Sequence, residues 1–414
     1  MHNEPPSSIA KSSKWWKIFD SLSYSDMRIL CISTLSNQIS QGIQQVILGY
    51  MVLMLTDSHI MVGVVYATRS APNLLVGLVA GSLTDRIDRR ILMRITIWSM
   101  ALTSLFMAAL TFAGYLSVWG LIFGTFFLGC FQAFYMTARQ VYVYDLVGSS
   151  GALNGIAIIS FAQRIGQILG ALGAGVFIYW KGATLTFLLM GACYIVGAIA
   201  INYLKSEGAS APTARESIAE NILNYWRALG NNKLMLSLII STALAETFGF
   251  SHQVLLPILA QEVLKVGAIG LGILTAFRFV GGAIGVISIA AISDLVAKGK
   301  LLICVLILFG AGQVLMSLSN VFWAALVFVT FTNMMAASSD VLHQSLLQLS
   351  VPNEQRGRAM GSWIVGIGCA PFGQLQIGYI SGLAGSRISL LINGTVLILG
   401  ATVMCLSLPR LRRL

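Results

Sequence analysis

Long apolar runs recur along the whole sequence, each about 20 residues in length and separated from the next by a short polar or charged segment. A helix of roughly 20 apolar residues crosses the hydrocarbon layer of a bilayer, which is about 30 Å thick. Charged residues make up only 10% of the chain, against roughly 25% in a soluble domain. So few polar residues cannot cover a soluble core of this size, and the sequence predicts an all-α membrane protein with many spans.

Proline, glycine and charge clusters divide the apolar sequence into twelve predicted transmembrane helices, spans 1 to 12. Their predicted limits are 28–55, 60–83, 91–113, 118–146, 153–179, 183–204, 234–262, 268–292, 300–318, 321–348, 359–382 and 387–408. The predicted domains are an N-terminal segment (1–27), a six-helix half (28–204), a linker (205–233), a second six-helix half (234–408) and a basic tail (409–414). The apolar residues of the linker can share one helical face, which is typical of an amphipathic helix on the membrane surface.

The lysines and arginines predict the orientation of these spans. Alternate connections place nineteen basic residues on one side of the membrane and three on the other, while four arginines lie within spans. Because cytoplasmic segments carry the excess of Lys and Arg, both termini and the linker are expected in the cytoplasm and the protein in the inner (plasma) membrane. The net charge of +11 is therefore a topology signal, and no soluble basic face remains for nucleic acid.

The two predicted halves carry matching patterns. A glycine, an arginine and an aspartate are spaced by 6 and 16 residues in both, at Gly63, Arg69 and Asp85 and at Gly272, Arg278 and Asp294. Three glycines repeat with spacings of 5 and 7, at Gly170, Gly175 and Gly182 and at Gly373, Gly378 and Gly385. The dipeptides "ST" and "QV" also recur, at 33–34 and 45–46 and at 241–242 and 253–254. Two six-helix repeats around a central cavity are a transporter architecture.

The segment GSLTDRIDRR, residues 81–90, is a dense charge cluster between spans 2 and 3. It resembles the signature loop of the major facilitator superfamily, G-x-x-x-D-R-x-G-R-R, and the matching residues are Gly81, Asp85, Arg86, Arg89 and Arg90. The second half carries a reduced copy at Asp294. The resemblance implies the major facilitator fold and a gating role for these residues, with which we group Arg139 at the inner end of span 4. The alternative is a charge cluster that only sets topology, although such a cluster needs no carboxylate.

Four further stretches narrow the resemblance. RIGQILGALGAG, residues 164–175, is similar to the span 5 signature of antiporters in the superfamily, with alanine in place of its proline. Gly166, Gly170 and Gly175 match, and with Gly373 and Gly378 they are predicted helix-packing positions, since glycines permit close helix contact. VPNEQRGRAMG (351–361), LLPILAQEVL (255–264) and ARQVYVYDLV (138–147) are similar to stretches of the enterobactin-exporter and secretion-effector branch.

Charged residues at membrane depth are costly and are therefore functional candidates. Arg69, Arg164 and Arg278 lie near the middle of their spans, as does Glu246, while Asp340 lies in the cytoplasmic half of span 10. Some of these charges could form structural pairs, for instance Arg278 with Glu246. Three mid-depth arginines against one carboxylate leave a surplus of positive charge, and this surplus favours an anionic solute.

Span 1 is lined with amides and supplies the other predicted substrate contacts. The predicted substrate-binding residues are Asn37, Gln38, Gln41, Gln45, Arg69, Arg164 and Arg278. The alternative for the amides is hydrogen bonding between helices, because polar side chains commonly join membrane helices. Glu246 and Asp340 are the predicted proton carriers, since burial in a low dielectric disfavours the ionised form of a carboxylate.

These features together predict a secondary active exporter that moves an organic solute, anionic and siderophore-like or a drug, against a proton gradient. An importer of a lysophospholipid or nutrient on the same scaffold, a non-transporting sensor and an intramembrane enzyme are the alternatives. The sequence has no HExxH, P-loop or GxSxG motif, which argues against an enzyme. Its six cysteines lie in apolar runs without CxxC pairs, so we expect no metal site and no cofactor. The expected partners are a small molecule, protons and the bilayer, and the expected state is a monomer.

Overall fold

The computed structural model describes residues 23–76, 84, 87–206, 233–292, 297–350, 363 and 365–407, and every regular element within these ranges is helical. The predicted linker helix and the basic tail lie outside the described residues. The helices are α1 (Ser25–Thr56), α2 (His59–Leu75), α3 (Arg89–Phe112), α4 (Val118–Gly148), α5 (Asn154–Asn202), α6 (Leu234–Val263), α7 (Gly267–Ile292), α8 (Lys298–Ser317), α9 (Phe322–Leu349), α10 (Ala370–Ala384) and α11 (Ser386–Ser407).

Most of these helices have the length and composition of membrane spans. Within the described ranges, nine are long and apolar enough to cross a bilayer. The described parts of α2 and α10 are shorter, with 17 and 15 residues. Helix α5 has 49 residues and would run about 74 Å as one straight rod, which is more than twice the hydrocarbon thickness of about 30 Å.

Two glycines interrupt the long helical stretch that contains α4 and α5. Gly148 has φ 66° and Gly182 has φ 75°. Positive φ is strained for a residue with a Cβ atom and is readily adopted by glycine. Gly148 therefore ends α4, and Gly182 divides α5 into a first arm (154–181) and a second arm (183–202).

Helix α6 is irregular along its second half. It begins as a regular helix, becomes a π-helix at Ala245–Gly249, a 3₁₀ helix at Phe250–Leu255 and a second π-helix at Leu259–Val263. Segments of π and 3₁₀ helix inside a longer helix are strained and often mark hinges or functional sites. Glu246 lies on the first π-helical segment and Gln253 on the 3₁₀ segment. The relative direction of their side chains therefore differs from that in a regular α-helix.

Glycines bring helices of the two predicted halves into direct backbone contact at one end of the bundle. A Cβ atom on Gly378 of α10 would lie 2.8 Å from the Cα atom of Gly63 in α2. A Cβ atom on Gly175 of α5 would lie 3.1 Å from the Cα atom of Gly272 in α7. Neither contact leaves room for a side chain, so these pairs pack backbone against backbone. The end of the bundle that holds them, near His59 at the start of α2, is called the closed end below.

Three other predicted packing glycines also lie against backbone. A Cβ atom on Gly166 would lie 2.7 Å from the backbone oxygen of Leu35 in α1. Gly170 meets Ile39 of α1 in the same way, and Gly373 of α10 meets the backbone of Thr247 in α6. The first arm of α5 is thus held tightly against α1, which fixes the position of the polar face of α1.

Candidate functional site

A cavity of about 260 Å³ lies between α1, α2, α4, α5, α6 and α7. Amide side chains predominate in its lining. The lining glutamines are Gln38, Gln41, Gln44, Gln45, Gln132, Gln163, Gln167 and Gln253. Two arginines, Arg69 and Arg278, also line it, and the described lining includes no Asp or Glu. The cavity therefore carries positive charge with hydrogen-bonding groups on several sides.

Arg69 is held by three glutamines of α1. Its guanidinium donates to Oε1 of Gln45 at 2.8 Å and of Gln41 at 3.0 Å, and its Nε atom lies 3.5 Å from Oε1 of Gln44. Positions three and four apart on a helix share a face, which explains how one stretch of α1 supplies all three acceptors. The arrangement fixes the guanidinium in place with neutral partners, so its positive charge is not cancelled.

Arg278 has a corresponding partner in the second half. Its guanidinium donates to Oε1 of Gln253 at 2.7 Å and lies 5.3 Å from the ring centre of Phe279. Gln253 belongs to the 3₁₀ segment of α6. Arg69 with Gln45 and Arg278 with Gln253 are the arginine and "QV" glutamine pairs of the two sequence repeats, and both pairs line the same cavity.

The remaining amides of α1 extend this polar network away from the arginines. Gln41 donates to Oε1 of Gln132 at 3.2 Å and to the hydroxyl of Tyr194 at 3.0 Å. Asn37 donates to the same Gln132 oxygen at 3.3 Å and is fully buried outside the described cavity lining. The structure therefore places Asn37 behind the cavity wall, where it supports the residues in front of it.

A second group of charges joins the two halves beside the cavity. The carboxylates of Glu246 on α6 and Asp340 on α9 are close enough for their charges to interact, and Asp340 also interacts with Arg164 from α5. A Cβ atom on Gly282 of α7 would lie 3.3 Å from a terminal guanidinium nitrogen of Arg164, so Arg164 reaches across to the second half. Arg164 lies outside the described cavity lining.

This arrangement differs from the structural pair considered for Arg278. Glu246 interacts electrostatically with Asp340, while Arg278 donates a hydrogen bond to Gln253. The physical reason is the irregular turn of α6, which carries Glu246 on its π-helical segment and Gln253 on the following 3₁₀ segment. The two cavity arginines consequently keep their charge, and of the three arginines at mid-membrane depth it is Arg164 that interacts electrostatically with a carboxylate.

A buried polar cluster supports the break in α6. The Nδ1 atom of His252 lies 2.8 Å from the Gly249 carbonyl oxygen, and Asn333 of α9 contacts the other ring nitrogen at 3.1 Å. Gln313 of α8 donates to the Phe248 and Gly249 carbonyls at 3.0 and 3.2 Å. These contacts satisfy backbone groups at the break. Sequence reasoning missed Gln313 and Gln253, although an amide inside an apolar helix is a signal that could have found both.

The structure describes some of the predicted gating residues and not others. Arg89 forms an ion pair with Asp145 at 2.6 Å, and Arg90 pairs with Asp88 at 3.6 Å. Arg139 is 2% exposed, with its guanidinium 5.7 Å from the ring centre of Tyr135. The other predicted gating residues, Gly81, Asp85, Arg86 and Asp294, lie outside the described residues.

At the closed end, a histidine of the first half contacts two elements of the second. His59 Nε2 lies 2.6 Å from Oε1 of Glu262, and its Nδ1 lies 2.9 Å from the Ser381 carbonyl oxygen. The sequence patterns did not single out these residues, because their neighbourhood arises only when α2, α6 and α10 meet. The contact adds a polar link to the glycine contacts at this end.

Comparison with known proteins identifies the family of the chain that forms this cavity. The sequence profile described as transmembrane secretion effector matches residues 18–413. The chain belongs to this family. It is therefore a membrane transporter of the major facilitator superfamily and not an enzyme. The resemblance to the enterobactin-exporter and secretion-effector branch is confirmed.

Three relatives illustrate the range of this similarity. The chain is 22% identical to the staphyloferrin A transporter of Staphylococcus aureus, over 88% of this chain and 90% of that protein. It is 23% identical to the multidrug efflux pump Tap of Mycolicibacterium fortuitum, over 93% and 96%. It is 22% identical to the enterobactin exporter EntS of Salmonella typhimurium, over 91% and 90%.

A solved structure supports the same fold. The crystal structure of a bacterial homologue of the human lysosomal transporter Spinster, inward-facing and unoccupied, superposes with a TM-score of 0.73. The two sequences are 14% identical, and the alignment covers 96% of this chain and 98% of the other. The described helices therefore have the arrangement of a major facilitator transporter.

Proposed function

We propose that the protein is a proton-coupled exporter of an organic anion, working by alternating access in the inner (plasma) membrane. The observation that carries this proposal is the cavity that contains Arg69 and Arg278 among eight glutamines, without an acidic residue in its described lining. Buried charges in a membrane are retained where function requires them. Two guanidinium groups with neutral partners attract carboxylate or other oxygen-rich anions. A cationic drug would meet two like charges there.

The proposal includes twelve spans arranged as two six-helix repeats. The break at Gly182 divides α5 into two arms that we count as two membrane crossings, and we count α2 and α10 as two more. The glycine contacts support the repeat. In the sequence repeat Gly63 corresponds to Gly272, and Gly175 corresponds to Gly378. The contact of Gly63 with Gly378 is therefore the symmetry equivalent of the contact of Gly272 with Gly175. Both arginines of the cavity come from one chain, so a monomer is sufficient for transport.

Orientation follows from the distribution of basic residues. With both termini and residues 205–233 in the cytoplasm, the closed end near His59 faces outward. Arg89, Arg139 and Asp145 then lie at the cytoplasmic end, together with the loop that contains Asp85. We assign these residues to the gate that closes the cytoplasmic side when the cavity opens outward.

Proton coupling is assigned to Glu246 and Asp340. Two carboxyl groups that interact with each other titrate as a pair, and the positive charge of Arg164, from the opposite half, interacts with Asp340. Separation of the halves would withdraw Arg164 and favour proton uptake, because an unpaired buried carboxylate is costly. Arg164 is therefore assigned to the proton site, and the substrate role predicted for it passes to the residues that line the cavity.

Flux measurements in proteoliposomes test the proposal. Vesicles that contain a trapped pH-sensitive dye are mixed with a panel of organic anions and cationic drugs. Antiport brings the solute in and protons out, so the lumen pH should rise on addition of an anion. A fall in lumen pH would indicate symport and the importer alternative. No pH change and no uptake with any compound would contradict a transport function of this kind.

Two substitutions separate the proton step from solute movement. Glu246→Gln and Asp340→Asn should abolish the pH response while solute exchange without a gradient continues, because the cavity is unchanged. Asp57→Asn is a matched control, since Asp57 lies at the end of α1 away from the carboxyl pair. A normal pH response in both Glu246→Gln and Asp340→Asn would remove this pair from the mechanism.

A further inference from the structure

Two different acceptors hold the imidazole of His59 at the closed end. Its Nε2 atom lies 2.6 Å from Oε1 of Glu262 in α6, and its Nδ1 atom lies 2.9 Å from the carbonyl oxygen of Ser381 in α10. The Ser381 hydroxyl lies 3.0 Å from the same Nδ1 atom and can either donate or accept. The carbonyl oxygen can only accept, so Nδ1 must carry a hydrogen to satisfy it.

The other ring nitrogen must also carry a hydrogen if Glu262 is charged, because an ionised carboxylate has only acceptors. A neutral imidazole has one N–H group, and both of its nitrogens are donors only in the protonated form. The cluster is therefore complete with one proton more than a neutral His59 and an ionised Glu262 hold together. The count is the same if Glu262 carries this proton and the imidazole is neutral, because interacting groups titrate as a unit.

Packing at this end of the bundle does not require these polar side chains. Counted from the repeated glycine and "QV" positions, each member of the cluster has a counterpart in the sequence repeat. The counterparts of His59, Glu262 and Ser381 are Ala268, Met54 and Ile178, in that order. All three are apolar, yet the backbone contact persists there, since a Cβ atom on Gly175 would lie 2.8 Å from the Ala268 carbonyl oxygen. The polar cluster is thus an addition to one of two equivalent contacts between the halves.

Protons from water can reach this cluster. The side chain of His59 is 16% exposed and that of Glu262 is 44% exposed. The other charged residues of the described chain at this end are Asp57, Lys181, Lys265 and Arg387. None of these four forms an ion pair with His59 or Glu262 among the described residues. Within that part of the chain, His59 and Glu262 are therefore each other's ion-pair partners and no third charge joins them.

We propose that His59, Glu262 and Ser381 form a latch that takes up one proton when the closed end shuts. Opening moves α2 away from α6 and α10, and the cluster then releases its extra proton to water. Histidine changes its charge between pH 5 and 8, so a fall in pH through this range favours the closed state and a rise favours the open state. In the antiport cycle, shutting the outer side then depends on protons from that side. The inference rests on the proposed function for alternating access and for the orientation of this end.

Spin-label distance measurement on the full-length chain in lipid nanodiscs tests the latch. The labels are attached at Tyr115→Cys and Leu318→Cys, two exposed positions in outer connections of the two predicted halves, and the six native cysteines are replaced by alanine. Glu246→Gln and Asp340→Asn are included in this parent variant, so that the carboxyl pair cannot cause a pH response. One proton permits at most about a tenfold change in the open-to-closed ratio per pH unit. We expect this ratio to rise about 10-fold between pH 6 and pH 8.

Two substitutions test the proton count. His59→Gln removes the titrating ring, so the ratio should be the same at pH 6 and at pH 8. Glu262→Gln replaces one carboxylate oxygen with an NH₂ group, which can donate to Nε2 of a neutral imidazole. This variant should stay closed at pH 8, whereas loss of a purely structural ion pair would open it. Asp57→Asn is the matched control and should respond as the parent does, because Asp57 is a carboxylate at the end of α1 outside the cluster.

The outcomes separate the latch from the proposed function. An unchanged ratio in the parent between pH 6 and pH 8, a full pH response in His59→Gln, or a folded Glu262→Gln variant that opens more readily than the parent at pH 8 would overturn the latch. If the ratio does not depend on pH while a solute drives the pH response in proteoliposomes, the latch is wrong and the exporter stands. If the ratio responds as expected and no solute moves, the latch stands and the proposed function fails.

Discussion

Arg69 and Arg278 occupy equivalent positions in the two sequence repeats, yet the structure predicts that replacing each with lysine has different consequences. Lysine keeps the positive charge and loses the planar fork of donors. Arg69 makes three contacts with Gln41, Gln44 and Gln45, whereas Arg278 makes one with Gln253. Arg69→Lys should therefore cost stability as well as binding, and Arg278→Lys should mainly cost binding.

The difference can be estimated from the hydrogen bonds. If the lysine of Arg69→Lys retains one contact, two hydrogen bonds from a charged donor are lost, at about 1.5 to 3 kcal/mol each. The free energy of unfolding would then fall by about 3 to 6 kcal/mol. Arg278→Lys can keep its single contact with Gln253, and its cost should stay below about 1 kcal/mol. For a chain of this size, 3 kcal/mol lowers the melting temperature by roughly 3 to 6 °C.

The measurement is thermal unfolding of the three purified proteins in one detergent, paired with ligand affinity. We expect Arg69→Lys to melt several degrees below the wild type and Arg278→Lys to melt within about 2 °C of it. Both variants should bind an organic anion more weakly, because both lose bidentate geometry. Equal melting shifts for the two variants would refute the assignment of Arg69 as the more strongly anchored arginine.

Two further predictions concern the ends of the bundle. Gly378→Leu should block the backbone contact with Gly63, reduce transport strongly and, combined with Ser70→Cys, increase labelling of the introduced thiol from the closed-end side. Gly173→Leu, at a position with open space around its Cβ, should do neither. Unchanged labelling in Gly378→Leu would show that this contact is not a gate. Asp85→Asn should slow transport while membrane insertion stays normal. Asp294→Asn should have a milder effect, because its loop lacks the arginine that follows Asp85. Equal flux in Asp85→Asn and wild type at matched expression would show that the loop has a topological role only.

Much of the helical architecture could be predicted from the sequence because membrane thickness imposes a length on each apolar run. The predicted span 153–179, for example, matches the first arm of α5, and the glycine at 182 that separates it from the next span is the residue with positive φ. The repeats in sequence likewise pointed to Gly63, Gly175, Gly272 and Gly378, which the structure brings together in pairs.

The partners of the charges could not be predicted in the same way. Arg164 and Asp340 come from different halves, and no local pattern links positions so far apart in the chain. The irregular turns of α6 depend on tertiary contacts from Gln313 and Asn333, so hydropathy gave no sign of them. Arg164 was grouped with the substrate residues because depth alone cannot show which charged side chains face a cavity and which face each other.

The sign of the charge that the cavity accepts is the central property of the proposed mechanism. Electrical measurement on proteoliposomes adsorbed to a solid-supported membrane reports charge movement within milliseconds of adding a solute. We predict a current with organic anions that disappears in the Arg69→Met, Arg278→Met double variant, and no current with cationic drugs. A cationic drug current that persists in the double variant would show that these two arginines do not select an anion.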